Sequence, residues 1–345
     1  MHGAQMIDER VFRPRRFSAY AALACSLAAF CLVIFAGLSP ASAADMLRIA
    51  AQKTGTFGWV LEVIKDHGLA EKAGLDLEVT ELASTDAGKI AMMGGSADIV
   101  VSDWLWVSRE RTLGSDLTFY PYSSSLGAVM VPQQSPIKTL ADLKGKKIGV
   151  AGGQLDKSWL LLQAVAKNSS LDLETDSTVV YGAPSLLFQK ALQGESDANL
   201  NFWNFCAELE ARGFKRLVSM EDIEKDLGAA ERVSMVGYVF DEAFAARHRD
   251  ALRRFFAVTR QAKDVLATSD EAWQKLAPRV GITDPAELAG YRKAYVEGIP
   301  HRPVAAEIED ARKLYRILAE VGGMQLVGPS NELAPGTYST DTGVD

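Results

Sequence analysis

Short apolar runs alternate with amphipathic segments along the chain from residue 46 onward. The runs at 46–52, 75–82, 98–102 and 147–151 predict buried strands, and a polar or glycine-containing loop and then a helical pattern follow each of them. Strands that alternate with helices indicate a parallel sheet covered by helices on both faces. In such a sheet the ligand crevice lies beyond the carboxyl ends of the strands.

The stretch from Leu143 to Leu162 shows this pattern most clearly. Gly152 and Gly153 separate the strand 147–151 from a helical pattern that opens with Asp156. The free N–H groups of a helix N-terminus bind ligands, and glycines let a ligand approach the main chain. The alternative is a simple turn in which Asp156 is the helix N-cap. The full dinucleotide spacing is absent, so this stretch alone favours the turn.

A partial internal repeat supplies a second crevice wall. The segment 89–98 resembles 189–198, because each is a helix stopped by glycine and followed by a buried strand. The two strands predict polar and aromatic groups at equivalent ends: Ser102, Asp103 and Trp104 from the first, and Phe202, Trp203 and Asn204 from the second. The alternative is that repeated βα units share such features merely because helices must end and strands must begin.

The C-terminal third is mainly helical. Apolar residues recur at helical spacing over 244–268, 272–280, 286–296 and 305–319, with charges on the opposite faces. Residues 328–345 are rich in Gly, Pro, Ser and Thr, and we expect this tail to pack loosely.

Residues 1–43 predict a cleaved secretory signal peptide. Four arginines precede an apolar run from Phe17 to Leu38, and Ala41-Ser42-Ala43 is typical of a signal-peptidase site. A retained membrane anchor is the alternative, since the run is about long enough to cross a bilayer. Arg15-Arg16 leaves twin-arginine export open, but the following residues favour general secretion.

The remaining chain is acidic and has one cysteine. Without residues 1–43 it keeps 33 basic and 42 acidic residues of the original 37 and 44, a net charge of about −9. This charge argues against nucleic acid or an anionic membrane as a partner. We expect Cys206 to be an apolar core residue. The histidines are scattered without the spacing of metal ligands, so we expect neither a metal site nor a cofactor.

Several segments together resemble a known family. They are the opening strand and helix, 94–102, the segment from Ser135 to Val150, and the segment from Tyr238 to Phe244. The chain resembles the periplasmic substrate-binding proteins of ABC importers, in the group that binds nitrate, sulfonates, taurine and thiamine pyrimidines. The resemblance implies a two-lobed α/β periplasmic-binding-protein (type II) fold, in which each lobe is a mostly parallel sheet flanked by helices and two crossing strands join the lobes.

This resemblance also implies lobe boundaries and partners. We expect lobe 1 to comprise 44–130 and 236–345, lobe 2 to comprise 131–235, and the crossings to lie near Ala128–Val131 and Val233–Val239. It implies a monomer in the periplasm that binds a small-molecule ligand and delivers it to a cognate ABC permease and ATPase at the inner membrane.

The predicted ligand-binding residues follow the strands on both sides of the cleft. They are Thr54, Thr56, Phe57, Ser102, Asp103, Trp104, Gly153, Gln154, Asp156, Asn201, Trp203 and Asn204. Sulfonate and nitrate binders commonly have a Gly-Ser turn and a following histidine where this chain has Gly152-Gly153-Gln154-Leu155-Asp156-Lys157. Together with the acidic charge, this departure ranks an uncharged or cationic nitrogen heterocycle or amine above a sulfonate or nitrate.

Two other classes stay open. An enzyme is the less favoured one, because the sequence has no nucleophile elbow, P-loop or paired-cysteine motif, and Asp103 and Asp156 are its only candidate acid and base. A periplasmic accessory protein that uses the same fold to bind a protein partner is the other.

Overall fold

The computed structural model describes residues 44–53 and 55–340. The predicted signal peptide, Thr54 and the last five residues therefore lie outside the described part of the chain. Ten strands have the bounds β1 Asp45–Gln52, β2 Leu75–Leu82, β3 Ile99–Asp103, β4 Leu117–Ser123, β5 Gly127–Pro132, β6 Lys147–Ala151, β7 Thr178–Gly182, β8 Ala198–Phe202, β9 Phe214–Ser219 and β10 Val236–Asp241.

Fourteen α-helices are described, together with a 3-10 turn at Leu140–Leu143. They are α1 Phe57–Asp66, α2 Leu69–Lys72, α3 Thr85–Met93, α4 Trp104–Thr112, α5 Lys157–Asn168, α6 Leu173–Asp176, α7 Pro184–Leu192, α8 Trp203–Ala211, α9 Met220–Asp226, α10 Glu242–Arg247, α11 Arg249–Thr268, α12 Asp270–Val280, α13 Pro285–Glu297 and α14 Val304–Val327. Among these helices, none combines the length and the apolar composition that crossing a bilayer requires.

The strands form two five-stranded sheets with the same internal plan. The first sheet has the order β2-β1-β3-β10-β4 and the second β7-β6-β8-β5-β9. In each sheet three neighbouring strands are parallel, and the fourth in order runs antiparallel to both of its neighbours. The strands β3 and β8, which end the two repeated sequence segments, occupy equivalent positions. The predicted α/β fold with two sheets flanked by helices is confirmed.

In each sheet, the strand that is antiparallel to both of its neighbours is the one that the chain forms directly after leaving the other sheet. All of β5 pairs within the second sheet and all of β10 within the first. The chain therefore crosses between the sheets at 124–126 and again within 227–235, just before these strands. The expected crossing at Ala128–Val131 is accordingly moved a few residues towards the N-terminus. The proposed lobe boundaries stay a prediction.

One apolar core reaches both sheets through the last long helix. Helix α14 packs against α4, which follows the first sheet's β3, and against α5, which follows the second sheet's β6. The fully buried Trp104, Trp159 and Tyr315 belong to the same cluster. Burial of such rings is the main favourable free energy available for holding the two halves together.

The described part of the C-terminal tail is docked. The N–H of Phe119 donates to Thr337 O at 2.8 Å, the N–H of Ser339 donates to Phe119 O at 2.8 Å, and the Tyr338 ring packs edge-on to Phe119. The expectation of loose packing is thus corrected up to residue 340, because the tail extends the edge of the first sheet beside β4.

Candidate functional site

The loops that follow β1, β3, β6 and β8 meet between the two sheets, and we call this region the junction. The loop after β1 brings Thr56 and Phe57 to it. The Thr56 hydroxyl lies 3.0 Å from the Tyr122 hydroxyl, and Phe57 is 3% exposed between the rings of Tyr122 and Tyr238. Phe57 is therefore a core residue in this structure, and Thr56 keeps partial exposure at the junction.

Three predicted residues sit at the end of β3, and the structure separates their roles. The Asp103 carboxylate is the N-cap of α4, where Oδ1 accepts from the Trp106 N–H at 2.9 Å. Ser102 is buried, and its hydroxyl has no hydrogen-bond partner among the described residues. Trp104 has no exposed surface and packs on Tyr315, so we leave it out of the proposed site.

The loop after β6 adopts the turn that the sequence favoured. Asp156 is the N-cap of α5 and accepts from the N–H groups of Ser158 and Trp159 at 3.0 and 3.3 Å. Gly152 has a φ of 87° and its Cα faces this carboxylate, because an added Cβ would lie 3.1 Å from Asp156 Oδ2. Gly153 and Gln154 are exposed at the tip of the loop.

At the end of β8 the predicted residues point in different directions. Asn201 is buried, and its amide bonds to Pro184 O and to Asn199, which ties β8 to the start of α7. Trp203 and Asn204 are half-buried on the first turn of α8. The Trp203 ring meets Trp59 from the first half and Tyr291 from α13, with ring centroids 6.1 and 5.1 Å away.

An ion pair joins the two sides of the junction. Lys157 Nζ, at the start of α5, lies 3.1 Å from Asp103 Oδ2, at the end of β3. The two side chains are 31% and 11% exposed. Because the partners belong to different sheets, this contact exists only while the two halves are close together.

The junction contains a partly buried cluster of charged side chains, in which the positive and negative charges nearly balance. Burial would raise the pKa of Asp103, but the ammonium groups of Lys157 and Lys89 outweigh burial and hold this pKa below its ordinary value. Burial would lower the pKa of Lys157, but the Asp103 carboxylate outweighs it and raises this pKa. Burial raises the pKa of Asp156, and Lys157 only partly offsets the effect.

Three residues that contribute to the junction, Lys157, Tyr291 and Tyr295, are missing from the residues predicted by sequence. The sequence presents Lys157 only as a charge that compensates Asp156, although its place directly after an N-cap sends its side chain towards the facing loop. Tyr291 and Tyr295 of α13 fit an ordinary amphipathic helix. Their spacing of four residues puts both rings on one helix face. Sequence alone could not show that this face meets Trp203.

Among residues 44–53 and 55–340, no three His, Cys, Asp or Glu side chains are grouped so that they could hold a metal ion. Cys206 is fully buried, and burial raises the pKa of its thiol to about 12. Such a thiol is a poor nucleophile at neutral pH.

Two similar mixed sheets, with facing loops at the ends of their parallel strands, define a two-lobed protein of the periplasmic-binding-protein fold. The chain belongs to the NMT1/THI5 like family, whose model matches residues 61–272. The resemblance to the substrate-binding proteins of ABC importers is thereby confirmed.

Relatives of known name agree with this assignment. A protein of Escherichia coli (strain K12), described as a candidate aliphatic sulfonates-binding protein, is 31% identical over 162 residues, which are 46% of this chain. The chain spans about half the length of that relative, 49%.

Solved structures share the fold over most of the chain. The periplasmic aliphatic sulphonate binding protein SsuA from Escherichia coli has a TM-score of 0.68 at 22% identity, over 85% of this chain and 97% of that one. The alkanesulfonate-binding protein SsuA from Xanthomonas axonopodis pv. citri, bound to MOPS, has a TM-score of 0.63 at 20% identity, over 87% and 99%. The desulfurization enzyme DSZB also shares the fold, with a TM-score of 0.54 at 15% identity, over 85% and 97%.

Proposed function

We propose that this protein is the extracytoplasmic solute-binding component of an ABC importer. It holds one small organic molecule between the lobes, at the junction, and delivers it to a cognate permease and ATPase at the inner membrane. The ligand is a sulfonate or nitrate type of anion, or a nitrogen heterocycle or amine. Residues 1–43 act as a cleaved signal peptide that directs the protein to the periplasm, where it works as a monomer.

The observation that carries this proposal is the ion pair between Asp103 and Lys157. It joins loops at the carboxyl ends of β3 and β6, which is where ligands bind in sheets of this type. Its two charges belong to different lobes, so a ligand that engages both groups would stabilise the closed form of the molecule. The names of the sulfonate-binding relatives support the same class of function.

The proposed ligand contacts keep most of the predicted residues. We retain the predicted residues with exposed surface at the junction, Ser102 for its unsatisfied hydroxyl and Asp103 for its ion pair, and we add Lys157. The proposed contacts are Thr56, Ser102, Asp103, Gly153, Gln154, Asp156, Lys157, Trp203 and Asn204. Thr54 stays a prediction. We propose that the predicted lobe 1, 44–130 and 236–345, and lobe 2, 131–235, meet four residues earlier than predicted. Residues 127–130 belong with lobe 2, because they pair with β8 of the second sheet.

Catalysis receives less support than binding. The fold is shared with a desulfurization enzyme, but a fold alone does not specify a reaction. Asp103 is engaged by Lys157 and by the Trp106 N–H, and Oδ1 of Asp156 accepts from two N–H groups, so both carboxylates already serve as helix N-caps.

A thermal-shift screen tests the proposal. The panel contains taurine, alkanesulfonates, nitrate, hydroxymethylpyrimidine, polyamines and quaternary amines. We expect at least one compound to raise the melting temperature in a concentration-dependent way, because a ligand that binds only the folded state stabilises it by mass action. If no compound changes the melting temperature, the proposal fails and a periplasmic accessory protein with a protein partner takes its place.

A further inference from the structure

Helix α13 connects the core of the first sheet to a helix of the second sheet. Tyr291 and Tyr295 of α13 belong to the same apolar cluster as Leu47 of β1, in the first sheet. On its other side α13 packs against α8, and α8 in turn packs against β5 and β9 of the second sheet. The contact between α8 and α13 therefore joins the lobes, and it is separate from the ion pair at the junction.

One end of this contact lies beside the first crossing, at 124–126. The Trp203 N–H, at the start of α8, donates to Leu126 O at 2.8 Å, and the Ser124 N–H donates to Gly298 O, directly after α13, at 2.9 Å. At the same end the rings of Trp203 and Tyr295 pack with their centroids 6.3 Å apart. Because this end is bonded to the crossing, it moves little when the lobes rotate about the crossings.

The other end of the contact is an ion pair between the lobes. Arg212 directly follows α8, and its Nη1 lies 2.6 Å from Oε1 of Glu287, near the start of α13. Glu287 and Gly298 are about 16 Å apart along the helix axis, at about 1.5 Å per residue. A rotation moves each atom in proportion to its distance from the axis. Opening about the crossings therefore separates Arg212 from Glu287 farther than it separates Trp203 from Tyr295.

Arg212 has a second carboxylate within reach, in its own lobe. Arg212 Nη1 donates to Glu208 O at 3.1 Å and lies 3.7 Å from Glu208 Oε2, one helical turn away. In this closed structure burial raises the pKa of the Glu208 carboxyl, Arg212 partly offsets burial, and the charge of Glu287 raises the pKa further. Glu208 and Glu287 thus compete for one guanidinium, and only Glu208 stays beside it when the lobes separate.

We propose that Arg212 and Glu287 are positioning residues that hold the lobes closed without touching the ligand, and that Arg212 passes to Glu208 as the lobes open. Their side chains are 39% and 15% exposed, so salt screens the pair and its contribution is modest. We expect the pair to change the ratio of closed to open molecules by about two- to fivefold. The inference rests on the proposed function, since it concerns the closing of the cleft that holds the ligand.

Double electron–electron resonance between one spin label on each lobe tests the inference, on the protein without its signal peptide and without any ligand. Ile90→Cys and Leu186→Cys place the labels at exposed positions on α3 and α7, the helices that precede the equivalent strands β3 and β8. The native Cys206 is buried and does not compete for the label. We expect a shorter and a longer distance, from the closed and the open form.

Three variants in the labelled protein assign the closing to this pair. Glu287→Gln and Arg212→Gln should each lower the ratio of closed to open molecules about two- to fivefold, and the double variant should add little, because each change breaks the same pair. Glu208→Gln should move the ratio in the opposite direction, because it removes the competing partner.

Ionic strength supplies an independent check on the same labelled protein. Raising the salt from about 20 mM to about 500 mM should lower the ratio in the unmodified protein, because salt screens a partly exposed pair. The ratio in Glu287→Gln should respond less.

A matched control uses an ion pair that lies within one lobe. Glu210 of α8 and Arg216 of β9 are 2.7 Å apart, and their side chains are similarly exposed, at 42% and 35%. Because both residues belong to the second lobe, Glu210→Gln should leave the ratio of closed to open molecules unchanged.

The outcomes separate this inference from the proposed function. A ratio that Glu287→Gln leaves unchanged, or that Glu210→Gln lowers equally, overturns the inference, as does a single distance that no variant changes. The importer function then still stands, because the experiment contains no ligand. If the variants behave as expected but the thermal-shift panel yields no ligand, the positioning pair stands and the proposed function fails.

Discussion

Glu224 is a buried acid with one unsatisfied oxygen. It is 1% exposed, its Oε2 accepts from the Val233 N–H at 3.2 Å, and its Oε1 has no partner among the described residues. Burial and, to a smaller degree, the nearby Glu307 raise its pKa to about 8, against the lowering effect of the Val233 N–H. Val233 lies in the second crossing between the sheets, so Glu224 is hydrogen-bonded to that crossing.

This raised pKa predicts a pH-dependent stability. Between the ordinary value of about 4.5 and about 8, the folded protein holds a proton that the unfolded chain has released, so stability falls as pH rises. Glu224→Gln keeps the shape and removes the titration. Relative to the unmodified protein, the variant should gain up to about 1.4 kcal/mol for each pH unit within this window. Urea unfolding at several pH values measures it.

Glu195 supplies the control for that experiment. The hydrogen bond and charge of Lys190 lower its pKa. In the range from about 5.5 to 8 the carboxylate is then ionised in both the folded and the unfolded states. Glu195→Gln should therefore change stability by a constant amount across that range. A pH-independent difference for Glu224→Gln as well would contradict the prediction.

Single residues show the limit of what a sequence pattern can predict. Asp156 is recognisable as an N-cap because the signal is local, within three residues of the helix start. Trp104 and Trp203 carry the same signal, since each directly follows a strand. Their surroundings differ because Tyr315, more than two hundred residues away from Trp104 in sequence, covers that ring, whereas Trp203 stays half-buried. A contact between residues so far apart in sequence cannot be inferred from the local sequence around either tryptophan.

The elements are more predictable from sequence than the single residues. Hydrophobic periodicity identifies all the segments that carry the junction, because a strand followed by a glycine-containing loop and a helix is a local pattern. One predicted helix is interrupted in the structure, because the helix predicted over 244–268 is divided at His248. The docking of the tail is not predictable in this way, because its pairing partner, Phe119, is far away in sequence.

Helix α13 links the crossing segments to the second lobe. Its end is fixed by the Ser124 N–H, which donates to Gly298 O at 2.9 Å, and by Arg232, whose guanidinium donates to Glu297 O at 2.7 Å. Near the start of the helix, Glu287 pairs with Arg212, which directly follows α8, at 2.6 Å. The helix therefore contacts both crossings and the helix that follows β8.

Two glycines of this region give a matched pair of substitutions. A Cβ on Gly298 would lie 1.6 Å from Ser125 Oγ and 2.7 Å from Ser125 Cβ, so a change of the serine rotamer does not relieve the clash. Gly298→Ala should lower the free energy of unfolding by about 1 to 3 kcal/mol. A Cβ on Gly290, within α13, meets nothing within 4 Å. Gly290→Ala should raise the same free energy by up to about 1 kcal/mol.

Urea denaturation of both variants is the measurement, and the opposite signs are the informative result. Gly290→Ala controls for the general effect of replacing glycine by alanine. If Gly298→Ala is as stable as the unmodified protein, the end of α13 is not held against the first crossing as the structure shows it.

At the scale of the whole molecule, the contacts between the lobes are of two kinds. The apolar core around α14 reaches both sheets, and the cluster of Trp59, Trp203 and Tyr291 joins both halves through α13. At the junction itself the contact is the ion pair of Asp103 and Lys157. An exposed or partly exposed ion pair contributes little net stability, whereas buried apolar rings contribute much more.

This difference predicts how the molecule opens. Without ligand, we expect the junction loops to separate while α14 keeps its apolar contacts, because the polar contact is the weaker of the two. Ligand binding then restores the closed arrangement seen here. Small-angle X-ray scattering should give a smaller radius of gyration at ligand saturation, and the profile calculated from this structure should fit the saturated sample better than the free one. Identical profiles in both samples would identify a rigid module that is closed before the ligand arrives.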